Sequence, residues 1–314
     1  MSAVVHGLPA QEAAKLTRGV TLMSVTVAAT LVAMKAAAWA ISGSVAMLAS
    51  LADSGLDLLA SMITLYAVRY AAAPPDDEHR YGHGKAEAFA SLMQGGLVFA
   101  SAALVGREAI HGLLHPTPIR QEFWAIMVMV VSTALTGILI TVQSRVLRRT
   151  ASVAVAGDRA HYASDLAANG IGLIGIALTA GFGVSGFDAV AGLGIAGLLV
   201  WGAIGVFRQA SSQLLDTELA PQDRDRIVHL ATRDPRLTDV HQLRTRASGP
   251  YVHMQMHVDL DPNLSLETAH EVVVEAEKRI LTAFPAADII IHADPRGRAE
   301  PHGGAFQEDP RYPA

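Results

Sequence analysis

The chain has 314 residues, a formal charge of −5 and a 51% hydrophobic composition with a mean hydropathy of +0.32. That is too apolar for an ordinary soluble domain and points to a bilayer, and the mild negative charge argues against a nucleic-acid partner. With no cysteine, disulfides and thiolate ligation are excluded, so any metal must be held by imidazole and carboxylate.

The opening MSAVVHGLPAQEAAKLTRG has no compact basic region followed by a short apolar core and a cleavage site. Residues 1–14 therefore read as a cytoplasmic tail rather than a signal peptide. Six stretches then approach the roughly 20 mainly apolar residues that a bilayer core requires. They cover residues 20–41, 45–68, 88–106, 123–142, 160–180 and 187–207, which predicts a six-helix membrane domain over 15–210. Lys15 and Arg18 precede the first span. Arg69, Arg80 and Lys85 follow the second, Arg145, Arg148, Arg149 and Arg159 follow the fourth, and Arg208 follows the sixth. The opposite connections are poorer: SGS and GFGVSG have no basic residue, and the third-to-fourth connection has Arg107 and Arg120. The positive-inside rule puts both termini in the cytoplasm. Lys35, near the outer end of the first span beside Trp39, is expected to snorkel to the interface. The glycine-rich fifth and sixth spans signal close helix packing and no chemistry.

Past Arg208 the character changes, with a boundary near 211–216. LAPQDRDRIVHLATRDPRL has a helical period. In YVHMQMHVDL, Val252, Met254, Met256, Val258 and Leu260 face one way and His253, Gln255, His257 and Asp259 the other. Ser265 can cap a helix that ends before Pro285, and ADIIIHAD is a short strand. Residues 211–295 are thus expected to form a cytoplasmic α+β domain of order αββαβ, metallochaperone-like, with helices on one side of an open-faced sheet. Residues 296–314, rich in Pro, Gly and charge, are expected to be a disordered tail.

The chemistry lies in LASLADSGLDLLASM, where Asp53 and Asp57 interrupt an apolar run. Residues i and i+4 share a helix face, so the two point the same way, and HYASD repeats the device with His161 and Asp165 on the fifth span. A lone intramembrane carboxylate could be hydrogen-bond glue between helices. Two i,i+4 pairs of ligand type on separate helices favour a metal or proton site instead, because charge in lipid is costly. Three carboxylates and one imidazole suit four-coordinate Zn²⁺, with other divalent first-row metals or Cd²⁺ as further options.

Together, the DxxxD on the second span, the HxxxD on the fifth, six spans and an α+β tail resemble the cation diffusion facilitators, closest to the bacterial zinc/iron exporter branch. The similarity runs from about residue 16 to 295, through SGSVAMLASLADSGLD, RYGHGKAEAFASL, HYASD, LLDTEL, HQLRTRASGP and IIIHADP. The resemblance implies a homodimer in the bacterial inner membrane that exchanges metal for protons, and three metal sites. Asp53, Asp57, His161 and Asp165 would form the transport site. Asp76, His79 and His83, in PPDDEHRYGHGK, would form a loop site, although these residues alone fit a solvated polar loop about as well. His241, His257, His270, His292 and Asp294 would form a two-metal cytoplasmic site, with His253 an ambiguous extra. Lys85 and Asp216 match a charge interlock that holds the dimer together.

The expected activity is therefore efflux of a divalent cation, Zn²⁺ with Cd²⁺ or Fe²⁺, by proton antiport with alternating access, in a secondary transporter with no organic cofactor. The alternative is a proton-coupled carrier of Mn²⁺ or Co²⁺, or of an organic solute. An organic-solute carrier leaves the histidines of the C-terminal region unexplained. An intramembrane aspartyl hydrolase leaves His161 and Asp165 unexplained, and an ATP-driven pump lacks its GxxxxGK[ST] loop.

Overall fold

The structure, a computed structural model, describes residues 7–43, 45–114, 123–182 and 187–298. The predicted tail beyond 298 and parts of the short connections between helices lie outside these residues. Six long helices come first: α1 (Ala10–Ser42), α2 (Val45–Ala71), α3 (Ala86–Leu114), α4 (Phe123–Thr150), α5 (Val153–Phe182) and α6 (Phe187–Leu214). Among the described residues, five helices are long and apolar enough to cross a membrane, and α5 is not among them. Side chains of α5 are described only to Ile174, so its polar first half alone enters that count.

The helices outrun the apolar spans. α1 has 33 residues, about 50 Å at 1.5 Å per residue, against a hydrocarbon core of about 30 Å. α1 begins inside the stretch read as a tail, and α5 begins at Val153 rather than near 160. The α5 start is held from outside. Ser152 Oγ accepts from the Val155 N–H at 3.3 Å and donates to the Glu87 carboxylate of α3 at 2.5 Å. Glu87 also accepts from the Val153 and Ala154 N–H groups. An anion there meets unpaired N–H groups and the positive end of the helix dipole.

Small residues set the helix packing, as expected where lipid is as apolar as the interface. A Cβ on Gly157 of α5 would lie 3.1 Å from Ser91 Cα of α3, and one on Gly95 of α3 would lie 3.2 Å from Val206 of α6. Val27, Leu31, Leu139 and Tyr162 form one cluster between α1, α4 and α5.

The C-terminal domain follows the predicted order, with α7 (Pro221–Ala231), β1 (Val240–Ser248), β2 (Tyr251–Leu260), α8 (Leu266–Ala283) and β3 (Ala287–Pro295). Its three-stranded sheet has order β1-β2-β3; β1 and β2 are antiparallel, β2 and β3 parallel, with α8 as the crossover. Ser265 caps α8 by accepting from the Thr268 N–H. Met254, Met256 and Val258 on one face of β2 pack with Ile227 of α7 and with Val272, Ala276 and Ile280 of α8. The alternation along β2 leaves His253, Gln255, His257 and Asp259 on the opposite face.

The two regions meet through the α2–α3 loop. Lys85 Nζ lies 3.0 Å from Asp216, whose carboxylate also accepts from Arg246 of β1 at 3.2 Å. Arg246 stacks over the Tyr81 ring at 4.7 Å. A Cβ on Gly84 would come 2.1 Å from the Ser248 carbonyl oxygen, so loop and β1–β2 hairpin touch backbone to backbone. Gly249 turns the hairpin at φ +55°.

Candidate metal centres

Among the described residues, three groups of imidazole and carboxylate bring their donor atoms within 4.8 Å of one another. The first lies in the membrane region. His161 Nε2 is 2.9 Å from Asp57 Oδ1 and 3.8 Å from Asp165 Oδ2, so α2 and α5 bring their polar faces together as their spacing predicts. His161 is buried, and its Nδ1 has no hydrogen-bond partner among the described residues. Asp53 lies one turn from Asp57 on the same face; it is exposed and its oxygen is outside this three-member group.

Two neighbouring features were not anticipated. Asp158 is fully buried one turn before His161. It accepts from Ser24 Oγ of α1 at 2.7 Å, Gln143 Nε2 of α4 at 2.9 Å and Gln94 Nε2 of α3 at 3.2 Å. Gln94 also donates to Thr64 of α2 at 2.9 Å, and Tyr162 is 2.8 Å from Ser61 of α2. One carboxylate thus ties all of the first five helices together. The sequence signal existed: Asp158, His161, Tyr162 and Asp165 follow the i, i+3, i+4, i+7 stripe of a single face. The second feature is Lys35. Its ammonium crosses to α2, donating to Ser54 Oγ at 2.6 Å and the Ser50 carbonyl at 3.2 Å. The short α1–α2 connection makes the pair antiparallel, which sets Lys35 level with residues 50–54.

The second group is Asp76, His79 and His83 in the α2–α3 loop. Asp76 Oδ1 closes a tight turn by accepting the N–H groups of Glu78 and His79 at 3.0 and 2.6 Å. The His79 N–H is the main cause that holds the Asp76 carboxyl below its usual range. His79 Nδ1 and His83 Nε2 flank the carboxylate at 3.2 and 3.1 Å. His83 is buried against Tyr70, and its Nδ1 has no hydrogen-bond partner among the described residues.

The third group is His241, His257 and Asp294. Strand register builds it: His241 pairs with His257 and His257 with His292, so three histidines form a row across the sheet, with Asp259 paired to Asp294 two residues on. His257 Nδ1 is 2.8 Å and His292 Nε2 3.3 Å from Asp294. His241 is buried and hydrogen bonded at neither ring nitrogen among the described residues, with Nε2 3.4 and 3.5 Å from Asp259 and Asp294. A register shift after His241, with Gln242 at φ 52°, bends β1 beside it. His270 sits exposed on α8, outside the group, because α8 covers the apolar face of the sheet and the histidine row lines the other. His253 lies on the row's face but is engaged elsewhere, with Nδ1 3.1 Å from Asp288 and its ring edge-on to Tyr81.

An apolar helical region with carboxylate–imidazole clusters, joined to a small α+β domain, defines a class of membrane cation transporter. The family description "Cation efflux transmembrane domain" matches residues 21–215, and "Cation efflux protein, cytoplasmic domain" matches residues 219–296. The cation-efflux pump FieF of Shewanella oneidensis is 41% identical over 272 residues, 87% of this chain and 92% of that protein. FieF of Citrobacter koseri is 37% identical over 293 residues, 93% of this chain and 97% of that protein. The solved structure of CzrB in its zinc form is 30% identical and covers 27% of this chain and 99% of its own, with a TM-score of 0.25. The chain belongs to the cation efflux family, the cation diffusion facilitators, and is a membrane transporter of metal cations rather than an enzyme.

Proposed function

We propose that the protein exports Zn²⁺, with Cd²⁺ and Fe²⁺ as further cargo, by proton antiport with alternating access, as a homodimer of the bacterial inner membrane with both termini cytoplasmic. The observation that carries this reading is the approach of Asp57, His161 and Asp165 donor atoms within an apolar helix bundle, with Asp53 one turn away. Asp53, Asp57, His161 and Asp165 form the transport site, an O₃N donor set that suits a four-coordinate, borderline-soft dication. Facing the cytoplasm, the deprotonated site captures the ion. When the helices rock outward, protons compete for the same lone pairs and release it. Protonated carboxylates then lower the charge of the empty site for its return.

The membrane domain covers residues 15–210 and the metal-sensing cytoplasmic domain 211–295. Asp76, His79 and His83 hold a loop ion. The row of His241, His257 and His292 with Asp294 holds the cytoplasmic ions, with His270 apart from it on α8, and the unpartnered nitrogens of His83 and His241 fit that role. Shared ions draw two copies together, and Lys85 with Asp216 anchors the membrane edge of the dimer.

The test is flux in proteoliposomes for Zn²⁺, Cd²⁺, Fe²⁺, Mn²⁺ and Co²⁺ under set pH gradients, with Asp53→Ala and Asp57→Ala as controls. Zinc flux should follow the proton gradient and vanish in both variants. Flux indifferent to pH, or wild-type flux from a folded Asp57→Ala dimer, overturns the reading. Preferential transport of Mn²⁺ or Co²⁺ would keep the site and change the cargo.

A further inference from the structure

Lys35 is a cation held inside the helix bundle by a neutral cradle. Its ammonium donates to the Ser54 hydroxyl at 2.6 Å and the Ser50 carbonyl at 3.2 Å. Neither partner carries charge, and Ser54 is buried. A lysine that only snorkels would run its stem toward water. This one instead crosses from α1 to the helix that carries Asp53 and Asp57, and its partner Ser54 is the residue next to Asp53. Hydrogen bonds to Ser50 and Ser54 fix the ammonium on α2 one residue along from Asp53, and among the described residues it makes no ion pair with a carboxylate.

We propose that Lys35 is a tethered counter-charge of the transport site, which weakens metal binding and thereby speeds metal release. The inference rests on the transport-site reading of Asp53, Asp57, His161 and Asp165. Three carboxylates, one ammonium and one dication sum to zero, so the loaded site is neutral as a whole, the form least costly to carry through a medium of low dielectric. The fixed charge also repels the entering cation at every stage. Over a separation of several ångströms in a partly polar interior, one unit charge shifts metal affinity by about tenfold or more. The site therefore holds its cargo less tightly than four donors alone would, and an ion held too tightly is released slowly.

The experiment is zinc flux by the full-length protein in proteoliposomes, resolved into KM and kcat, for Lys35→Met, Lys35→Arg and Ser54→Ala, with Asp57→Ala alongside. Lys35→Met should lower the KM for Zn²⁺ by about tenfold and lower kcat as well, because the ion leaves more slowly. Lys35→Arg keeps the charge and should restore both constants to near wild type. Ser54→Ala loosens the tether but removes no charge, so KM should move by less than in Lys35→Met. Damage to packing would raise KM or abolish flux, so tighter apparent binding on loss of a side chain separates a counter-charge from a structural prop. An unchanged or raised KM in Lys35→Met, or a failure of arginine to rescue, overturns the proposal. If Asp57→Ala transports normally, the transport-site reading itself fails, and that result is independent of the Lys35 series.

Discussion

The membrane cluster and the cluster of the C-terminal domain use the same two side-chain chemistries in opposite proportion and on opposite scaffolds. In the membrane, one imidazole faces carboxylates drawn from two helices, and each helix repeats its donors every four residues. In the domain, three imidazoles face one shared carboxylate, set side by side by strand register. Carboxylates in lipid are tolerable only when neutralised, so the first arrangement gains most from a dication and gives it up most readily to protons. An imidazole-rich row fixed by strand register suits an ion that stays. The scaffolds differ in the same sense. Two helices that slide or tilt can separate Asp57 from His161, whereas three hydrogen-bonded strands cannot separate His241, His257 and His292 without losing the sheet.

The contrast is sharpest for loss of a single donor. Asp165→Ala should reduce zinc flux by about 100-fold or more, since even indirect supporters of a metal ligand cost about 10- to 100-fold, and the variant should remain folded and dimeric in detergent. Residual flux near wild type would dissolve the distinction between the two clusters. Asp158→Ala tests the ground on which the membrane cluster stands. It strands donors on α1, α3 and α4 around a buried void, and should cost about 3 kcal/mol, read as a large drop in the thermal midpoint of the purified protein. Asp158→Asn, which keeps shape and part of the hydrogen bonding, should recover some of that loss.

A smaller effect comes from moving the membrane cluster further from its counterpart. His161→Asp makes the site all-oxygen and should shift the Zn²⁺ to Mn²⁺ flux ratio toward Mn²⁺ on the order of tenfold in a competition assay. An unchanged ratio would show that the imidazole does not tune selectivity. In the domain, His257→Ala with His292→Ala should abolish high-affinity zinc binding there, measured by calorimetry on the full chain, yet lower flux only about fivefold, as expected for a coupled site that does not carry the ion.

The smallest effect is electrostatic and sits where the two regions meet. Asp216 is partly buried, which works against its charge, but the Lys85 ammonium and then the Arg246 guanidinium hold its carboxyl below the usual range. A depressed carboxyl stabilises the fold fully above its unfolded pKa of about 3.9, and that contribution fades as pH falls through the lower folded value. The pair is more than a third exposed, so after solvent screening the loss should stay under about 1 kcal/mol. Melting of wild type and Asp216→Asn should therefore converge below about pH 4.

Much of this architecture is legible in the sequence, and the exceptions have physical causes. Hydropathy marks the apolar spans because the bilayer selects for them. It misses helix ends such as α1 from Ala10, which follows Pro9, and α5 from Val153, which Ser152 and Glu87 hold. The i,i+4 carboxylates announce the membrane cluster because that spacing is local. The approach of His241, His257 and His292 is non-local: period-two alternation gives the face, but only strand pairing gives the row. Asp158 was missed because a single aspartate beside Arg159 at the mouth of a span looks like a solvated end. Its burial arises from four other helices that no local pattern encodes. The partners of Lys35 are equally non-local: its place on α1 is plain in the sequence, but Ser50 and Ser54 come from the antiparallel neighbour α2.

The contact between Gly84 and the β1–β2 hairpin has a mechanical consequence. A joint padded by side chains has play, since rotamers and flexible stems absorb small displacements before anything beyond them moves. Here the Ser248 carbonyl would collide with a Cβ of residue 84, and a Cβ on Gly249 would meet the Gly84 backbone. α3 begins at Ala86, and its Glu87 clasps the first turn of α5, two turns before His161. At this point of contact there is little to absorb a displacement: a tilt of the hairpin bears directly on the loop that leads into α3, and a methyl group added at Gly84 would clash with Ser248.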